Sequence, residues 1–153
     1  MDIIYTTAAR ILGVAGLSSE DVSDTFLADL ELNRVLSVEL FTWLPNHADI
    51  YLQDTESTTA QLRNNSDCLV LWCSYYGAAR VLDAALIVKS RETDGKNAFE
   101  RFSSTDLMKL ADAARKQAGV YRQALLTALD TESAPTPMAV LSAVAPSYDP
   151  VTG

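Results

Sequence analysis

The feature that most constrains the fold is a long apolar stretch in the middle of the chain, residues 57–89. Between residues 68 and 88 nearly every position is apolar or small, and the strongly polar exceptions are Ser74, Arg80 and Asp83. Because β-strands rarely exceed about ten residues, this stretch predicts one long helix. Its second half is apolar on nearly all sides, so we expect other helices to surround it.

The spacing of the apolar residues defines two faces on this helix. Three-and-four spacing places one set on a single face: Leu62, Leu69, Trp72, Tyr76 and Ala79. A second apolar face carries Leu71, Tyr75, Leu82 and Leu86. Arg80 and Asp83 argue against a membrane span, because charged groups inside a bilayer are costly. In a water-soluble bundle, a buried Arg80 requires an acidic partner, and Asp83 is the nearest candidate.

Two helices are predicted before this stretch. The first spans residues 3–13 and is ended by Gly13 and Gly16. The second is capped by Ser23 or by the residue after it, Asp24, runs to about residue 43, and is stopped by Pro45. Residues 46–56 are polar and predict a loop or a single helical turn.

A further helix is predicted after the central one. It starts at Ser103 or Ser104, where Asp106 completes an approximate capping box, and it runs to about residue 129. Residues 90–97 predict an exposed loop, and Arg91, Lys96 and Arg101 are candidate contact residues in and beside it. The buried stripe of the last helix is predicted to contain Leu107, Leu110, Ala111, Ala114, Ala118, Tyr121, Leu125 and Leu129.

The composition changes at residue 130. Prolines at positions 135, 137, 146 and 150 break any regular element, and they flank an apolar segment, residues 138–145. This segment either folds back on the bundle or docks onto another chain, and we favour docking because a proline-flanked apolar segment is unusual on a free arm. The predicted fold is therefore all-α: a helical bundle (residues 1–129) around one long central helix, followed by an extended C-terminal arm (residues 130–153).

Charge is distributed unevenly along the chain. The net charge is −8, and residues 1–62 alone carry two basic and ten acidic side chains. Residues 63–129 carry ten basic and seven acidic side chains. The acidic part disfavours wrapping nucleic acid. The basic part either meets the acidic part of a neighbouring copy, forms a weak phosphate-facing surface, or is simply solvated.

The sequence offers little chemistry for catalysis. It holds one histidine, His47, in a predicted surface loop. The two cysteines, Cys68 and Cys73, lie five positions apart on one helix and point in different directions, so they cannot bridge each other, and both are predicted to be buried and reduced. Metal-ligand spacings, phosphate-binding glycine loops and nucleophile elbows are missing. We therefore predict no catalytic residue, no cofactor, no metal and no enzymatic activity.

Two further sets of residues have an ordinary structural interpretation. The acid pairs Glu31 with Glu39 and Asp21 with Asp24 fit a solvated helix face better than a catalytic pair. Trp72, Tyr75 and Tyr76 are predicted to be core residues, although three neighbouring aromatic rings also suit the stacking of bases.

The order of parts resembles that of a known class of proteins. A short helix leads into the turn LGVAGLSSEDVSD, and a long apolar helix follows. After the loop segment SRETDGKNAFERF comes an alanine-rich helix that ends AGVYRQALLTAL, and a proline-broken arm closes the chain. This arrangement resembles the head–tail adaptors of tailed bacteriophages, also called connector or head-completion proteins.

The resemblance implies a non-enzymatic virion protein in the neck, assembled in the host cytoplasm. Such adaptors form a ring, typically dodecameric, between the portal protein and a tail or tail-completion protein. The ring extends the DNA channel, and DNA passes without sequence-specific binding or any membrane contact. The arm would bind the portal through Pro135, Pro137, Met138, Val140, Leu141, Val144 and Tyr148.

Two alternatives remain open from the residues alone. One is a small helical regulatory or binding module that grips a single partner in a one-to-one complex. The other is a ligand-binding or enzymatic bundle with a pocket near Trp72, Tyr75, Tyr76 and Arg80.

Overall fold

The computed structural model describes residues 2–56, 60–91 and 103–133. The elements are β1 (Asp2–Ile3), β2 (Thr6–Thr7), α1 (Ala8–Ala15), α2 (Asp24–Asp29), α3 (Leu32–Trp43), α4 (His47–Glu56), α5 (Ala60–Arg91) and α6 (Ser104–Ser133). The predicted all-α class is confirmed, since the strands in these residues form only one pair of two residues each. The loop predicted at residues 90–97 is wrong in its first two residues, because α5 continues to Arg91. Residues 92–97 of that loop and the arm beyond residue 133 lie outside the described residues.

The N-terminus forms a small hairpin, so the helix predicted from residue 3 is wrong in its first turn. β1 and β2 pair antiparallel, with Ile3 opposite Thr6, and Tyr5 in the connecting turn has a φ of 56°. Thr7 then caps α1, because its Oγ1 accepts a hydrogen bond from the Arg10 N–H at 3.3 Å. α1 ends at Gly16, whose φ of 70° suits glycine.

The single helix predicted from Ser23 to residue 43 is wrong, because the chain forms two helices there. Ser23 does cap α2, and its Oγ accepts from the Phe26 N–H at 3.2 Å. The break falls at Glu31, which adopts a left-handed conformation with a φ of 44°. On one continuous helix, residues 27 and 32 would point about 140° apart. The break lets both Leu27 and Leu32 reach the core, where they are buried.

Residues 46–56 were predicted to be a loop or one turn, and this is also wrong. The chain turns after Leu44, whose carbonyl accepts from the His47 N–H at 3.0 Å, and α4 then runs for ten residues. Ile50 is buried, and α4 packs against α5. Burial of this side chain stabilises a helix whose own sequence pattern is weak.

The helix predicted at residues 57–89 corresponds to α5, which is 32 residues long and contacts α1, α3, α4 and α6. α6 lies antiparallel to α5, since Tyr75 meets Tyr121 and Asp83 meets Arg115. The helices approach closely where α1 crosses α5. A Cβ atom added to Gly77 would lie 2.8 Å from Ile11 Cδ1. Glycine at this position therefore allows the two backbones to pack together.

The capping box predicted for the last helix is confirmed. The Asp106 N–H donates to Ser103 Oγ at 3.0 Å, and this hydroxyl donates to the Asp106 carboxylate at 2.6 Å. Five residues of the predicted stripe are buried: Leu107, Ala111, Ala114, Ala118 and Leu125. Tyr121 and Leu129 are partly buried. Leu110 is exposed, so its predicted burial is wrong, and α6 continues to Ser133, beyond the predicted end at residue 129.

Candidate functional site

The candidate residues predicted on the C-terminal arm lie outside the described residues. This holds for the whole set: Pro135, Pro137, Met138, Val140, Leu141, Val144 and Tyr148. Lys96 and Arg101 also lie outside them, and Arg91 is the last residue of α5. The site is therefore built from the surfaces of the helices that the structure describes.

The aromatic residues of α5 are divided between two helix contacts and do not form one platform. Trp72 is buried and stacks on Tyr76 with ring centroids 5.0 Å apart, and it meets the edge of Trp43 of α3 at 5.2 Å. Tyr75 points the other way and contacts Tyr121 of α6. These rings contact other protein rings, as predicted for core residues, which disfavours the base-stacking interpretation.

The predicted ion pair between Arg80 and Asp83 is wrong. Both Asp83 carboxylate oxygens accept hydrogen bonds from Arg115 of α6, and Arg115 also donates to Asp112 at 2.7 Å. The hydrogen bond to Asp83 raises the pKa of the Arg115 guanidinium. α6 packs beside Asp83, whereas Arg80 is exposed, so the burial assumed for Arg80 is also wrong.

His47 does not lie in a surface loop, contrary to the prediction. It starts α4, its ring is half-buried, and its Nδ1 lies 2.6 Å from the Tyr5 hydroxyl. Burial lowers the pKa of His47 and raises the pKa of Tyr5, so both groups favour their neutral forms. Tyr5 also packs against Tyr51, with ring centroids 4.4 Å apart. The arrangement fastens the N-terminal hairpin to α4.

The cysteines and the acid pairs lie in surroundings that suit a structural role. Both thiols are free. Cys73 is buried as predicted, and burial raises its pKa to about 12, whereas Cys68 is only half-buried, so its predicted burial is wrong. Asp21 accepts from the Ser18 backbone N–H and hydroxyl at 2.7 Å each. Glu31 pairs with Arg34 at 3.2 Å. Within residues 2–56, 60–91 and 103–133, His, Cys, Asp and Glu form no cluster of three or more that would hold a metal ion.

One surface feature is a groove between α3 and α5, which we call the α3–α5 groove. Its wider part has a volume of about 350 Å³, and Glu39 lies there beside Tyr76. The other residues that line this part are Glu31, Arg34, Val35, Val38 and Arg80. Past Arg80 lies a smaller part with a volume of about 220 Å³. Asp83, Ala84 and Ile87 line it, with Leu30 and Leu32 on the opposite wall. Burial and the charge of Glu39 raise the pKa of Tyr76.

The groove carries charges of both signs. α3 runs antiparallel to α5, because Trp43 meets Trp72 at one end while Leu32 and Ala84 line the groove at the other. Glu39 therefore lies toward the Tyr76 end and Glu31 toward the Ile87 end, and Arg80 lies between them. Arg34 pairs with Glu31, and Asp83, which lies beside Arg80, pairs with Arg115, so five charged side chains of both signs line the groove.

A second surface lies on the side of α6 that faces away from the core. Lys109, Ala113, Lys116 and Val120 follow four-three-four spacing and are all exposed, so they form one stripe, which we call the α6 outer face. This stripe lies opposite the buried residues of α6, because Lys109 is two positions from both Leu107 and Ala111. Asp112 lies on its flank between the two lysines, with 64% of its side chain exposed.

Large apolar side chains are exposed on α3 and on α6. Val38 and Phe41 of α3 are 63% and 68% exposed, and Val120 and Met108 of α6 are 56% and 54% exposed. Sequence analysis missed both surfaces as interaction sites. The four-three-four spacing on α6 was visible in the sequence, whereas the groove depends on how α3 packs against α5.

The chain was also compared with known proteins. No protein-family model, curated protein or solved structure matches it. Among the described helices, none combines the length and the apolar character needed to cross a membrane.

Proposed function

We propose that this chain is a structural virion protein, a head–tail adaptor that forms a ring between the portal and the tail of a tailed bacteriophage. In this proposal the protein has no enzymatic activity and lies in the neck of the particle. It is supported by the all-helical body, in which a long helix α5 packs against α6 and shorter helices precede it, and by the resemblance in the order of parts described above.

The observation that carries this proposal is the pair of exposed apolar surfaces on different helices. One lies on α3 and includes Val38 and Phe41, and the other lies on α6 and includes Met108 and Val120. Exposed apolar patches on a soluble protein commonly mark contacts with other proteins. Two unlike patches on one body suit a head-to-tail contact, which generates a ring when the rotation between copies closes.

The charge distribution supports the same arrangement. The described side chains of residues 20–52 include seven acids and one base, Arg34, whereas α6 carries the exposed lysines 109 and 116. Opposite charges on the two sides of a contact favour one register over others. An acidic surface toward the channel would also let DNA pass without close phosphate pairing.

The test is electron microscopy and native mass spectrometry of the chain, alone and mixed with the portal protein from the same genome. We expect a closed ring, or added density beneath the portal. A chain that stays monodisperse and does not bind the portal would refute the proposal.

A matched control separates the arm from the body. A chain that ends at Ser133, the last residue of α6, keeps every described helix but lacks residues 134–153. In the proposal the arm binds the portal, so this truncated chain should keep its far-UV circular dichroism and lose portal binding. Retained portal binding would refute the role proposed for the arm.

The α3–α5 groove favours a second candidate function. A groove that follows more than two turns of α5, with apolar and charged walls, also suits one amphipathic helix of a regulated partner. This candidate predicts a one-to-one complex and no ring. Native mass spectrometry distinguishes the two functions by stoichiometry.

A further inference from the structure

The exposed apolar side chains of α3 form one patch. Val38 and Phe41 are three residues apart, so they are neighbours on the same helix face, and both are exposed. Arg34 and Thr42 flank them, and we call these four residues the α3 outer face. Among the side chains that the structure describes, no other two exposed large apolar residues are three or four positions apart on one helix. Apolar exposure is therefore concentrated on this face and scattered elsewhere.

The polar groups beside this patch are already paired within α3 and its first turn. The Thr42 hydroxyl donates a hydrogen bond to the Val38 carbonyl at 2.9 Å. Arg34 pairs with Glu31 at 3.2 Å. A ligand that fits this face therefore needs apolar side chains and few polar ones, because it gains little from hydrogen bonding there.

The chain beyond α6 carries a segment of this chemistry. Residues 138–145 read MAVLSAVA, and Ser142 is the one polar residue among them. Four residues, 134–137, join this segment to the end of α6 at Ser133. Residues 134–145 contain no charged side chain, so they match the α3 outer face better than they match the charged α3–α5 groove.

The end of α6 lies about five helical turns from the height of this face along α5. Trp43 and Tyr121 contact rings that lie within one turn of each other on α5. Phe41, two residues from Trp43, therefore lies near the height of Tyr121. Ser133 is twelve residues beyond Tyr121, which corresponds to about 18 Å along α6.

The segment is long enough to cross this distance. α3 and α6 both pack on α5, each with its axis about 8–10 Å away, so Ser133 and Phe41 are at most about 27 Å apart. An extended chain spans about 3.3 Å per residue, so Leu141 reaches about 26 Å from Ser133 and Ala145 reaches about 40 Å. The second half of the segment can therefore lie on the α3 outer face without any movement of the helices.

The other exposed apolar residues fit this segment less well. Met108 is 25 residues before Ser133, which places it about 38 Å away along α6, at the limit of the reach. Val120 is closer, but it lies beside the exposed polar residues Lys116 and Gln123. Only the α3 outer face combines a position within reach with two adjacent apolar side chains.

A tethered segment also needs less contact area than a separate molecule. Val38 and Phe41 together offer far less than the roughly 800 Å² per partner that a stable interface between two proteins buries. A segment on a short linker has an effective concentration in the millimolar range, so a small apolar contact is enough to hold it. This difference favours the chain's own segment over a second copy as the occupant of the face.

We infer that residues 138–145 bind the α3 outer face of the same chain through their apolar side chains. The contact itself does not require a portal. One consequence rests on the proposed function: the portal and α3 bind the same segment and therefore compete for it. When the portal holds the arm, Val38 and Phe41 become free for the contact between copies.

Paramagnetic broadening in NMR spectra tests the contact in the full chain. A nitroxide is attached at Ser147→Cys, just past the segment, in a Cys68→Ser background, and the buried Cys73 stays unlabelled. We expect the amide signals of residues 34–42 to broaden and to recover when the nitroxide is reduced. Unchanged signals in residues 34–42, or broadening confined to α6, would overturn the inference.

A mixed sample shows whether the contact lies within one chain. A nitroxide-labelled chain without isotope label is mixed with an isotope-labelled chain that carries no nitroxide. Docking within one chain predicts no broadening in this mixture. Broadening of residues 34–42 would mean that the segment binds a neighbouring copy, and it would overturn the inference.

Two valine substitutions provide a matched pair of variants. Val38→Asp places a charge on the α3 outer face, whereas Val120→Asp makes the same change at an exposed position of α6. Because both side chains are exposed, both variants should keep their far-UV circular dichroism. Val38→Asp should abolish the broadening, and Val120→Asp should leave it unchanged. Equal effects of the two variants would contradict the assigned face.

The same variants test the competition with the portal. Each alters one of the two surfaces proposed for the contact between copies, so a difference between them isolates the arm. Val38→Asp frees the segment and should bind the portal about tenfold more tightly than Val120→Asp, as expected for a segment that is docked in about nine of ten free chains. Equal affinities would overturn the competition.

The results also separate failure of this contact from failure of the adaptor function. Portal binding without broadening of residues 34–42 would refute the contact and leave the adaptor proposal standing. Broadening without portal binding would support the contact and refute the adaptor function.

Discussion

Replacing Gly77 with alanine tests the close crossing of α1 and α5. The added methyl group would lie 2.8 Å from Ile11 Cδ1 and 3.2 Å from its Cγ1, and Ile11 is fully buried. Overpacking of this kind costs about 1–3 kcal/mol. Alanine is more favourable than glycine inside a helix by about 1 kcal/mol, which offsets part of this cost. We therefore expect Gly77→Ala to lower the free energy of unfolding by about 1 kcal/mol.

A second glycine provides the matched control. Gly119 lies inside α6, and a Cβ atom placed there meets nothing within 4 Å. Gly119→Ala should raise the free energy of unfolding by about 1 kcal/mol through helix propensity alone. The two substitutions make the same chemical change, so their difference of about 2 kcal/mol isolates the cost of the contact with Ile11.

The side chain on the other side of this contact, Ile11, can be shortened as well. Ile11→Val removes the Cδ1 atom that lies closest to the new methyl group, at a cost of about 0.5–1.5 kcal/mol by itself. In that background Gly77→Ala should lose most of its penalty, which gives a coupling energy of about 1 kcal/mol. Without coupling, the penalty would have to arise elsewhere than at Ile11.

The assay is urea unfolding followed by far-UV circular dichroism at low protein concentration, which keeps self-association out of the measurement. Thermal unfolding should shift in the same direction by roughly 2–4 °C for each kcal/mol. Equal stabilisation by Gly77→Ala and Gly119→Ala would refute the argument that α1 and α5 require glycine at their crossing.

Three further predictions follow from strain and burial. Glu31 is a non-glycine residue with a left-handed φ of 44°, so Glu31→Gly should raise the free energy of unfolding by about 1 kcal/mol in urea, and Glu31→Ala should not. Burial lowers the pKa of His47, so the stability it provides is complete above its ordinary value of 6.5 and is lost as the pH falls through the lower value of the folded protein. An NMR titration of this single histidine should give a pKa below 6.5, and a higher value would contradict the prediction. The buried Cys73 thiol, with a pKa of about 12, should resist iodoacetamide until the chain unfolds, whereas the half-buried Cys68 should react first, as mass spectrometry of the alkylated peptides would show.

The long helices and their caps were predictable because their signals are local and repeated. The apolar run that forms α5 and the three-and-four spacing of α6 each extend over many turns, which favours one interpretation. Ser23 and Ser103 cap their helices through side chains only three residues away from the N–H groups they bind. Such contacts depend on neighbouring residues alone.

The elements that were missed depend on contacts between distant parts of the chain. The turn at Tyr5 contains neither glycine nor asparagine, so the hairpin gives no turn signal, and the Thr6 hydroxyl binds Ser74 at 2.8 Å across 68 residues. The break at Glu31 also lacks glycine and reflects the burial of leucines on both sides. α4 has little apolar pattern of its own and is stabilised by packing on α5.

At the candidate site, the sequence again failed to predict a contact between distant residues. Asp83 was assigned to Arg80, three residues before it, but its partner is Arg115, 32 residues away on α6. Once α6 covers that side of α5, Arg80 is left on the groove side. The lining of the groove depends on this packing, whereas the spacing of the α6 outer face is present in the sequence.

Both tryptophans of the chain belong to the same contact between α3 and α5. Trp43 and Trp72 lie 5.2 Å apart, and the Arg122 guanidinium covers the Trp43 ring with its carbon 5.1 Å from the ring centroid. The Trp43 Nε1–H is buried and has no hydrogen-bond partner. The intrinsic fluorescence of this protein therefore reports on one place, at the end of the α3–α5 groove. A spectroscopist who follows tryptophan emission would see α3 separate from α5, but would not see α6 fray at its far end.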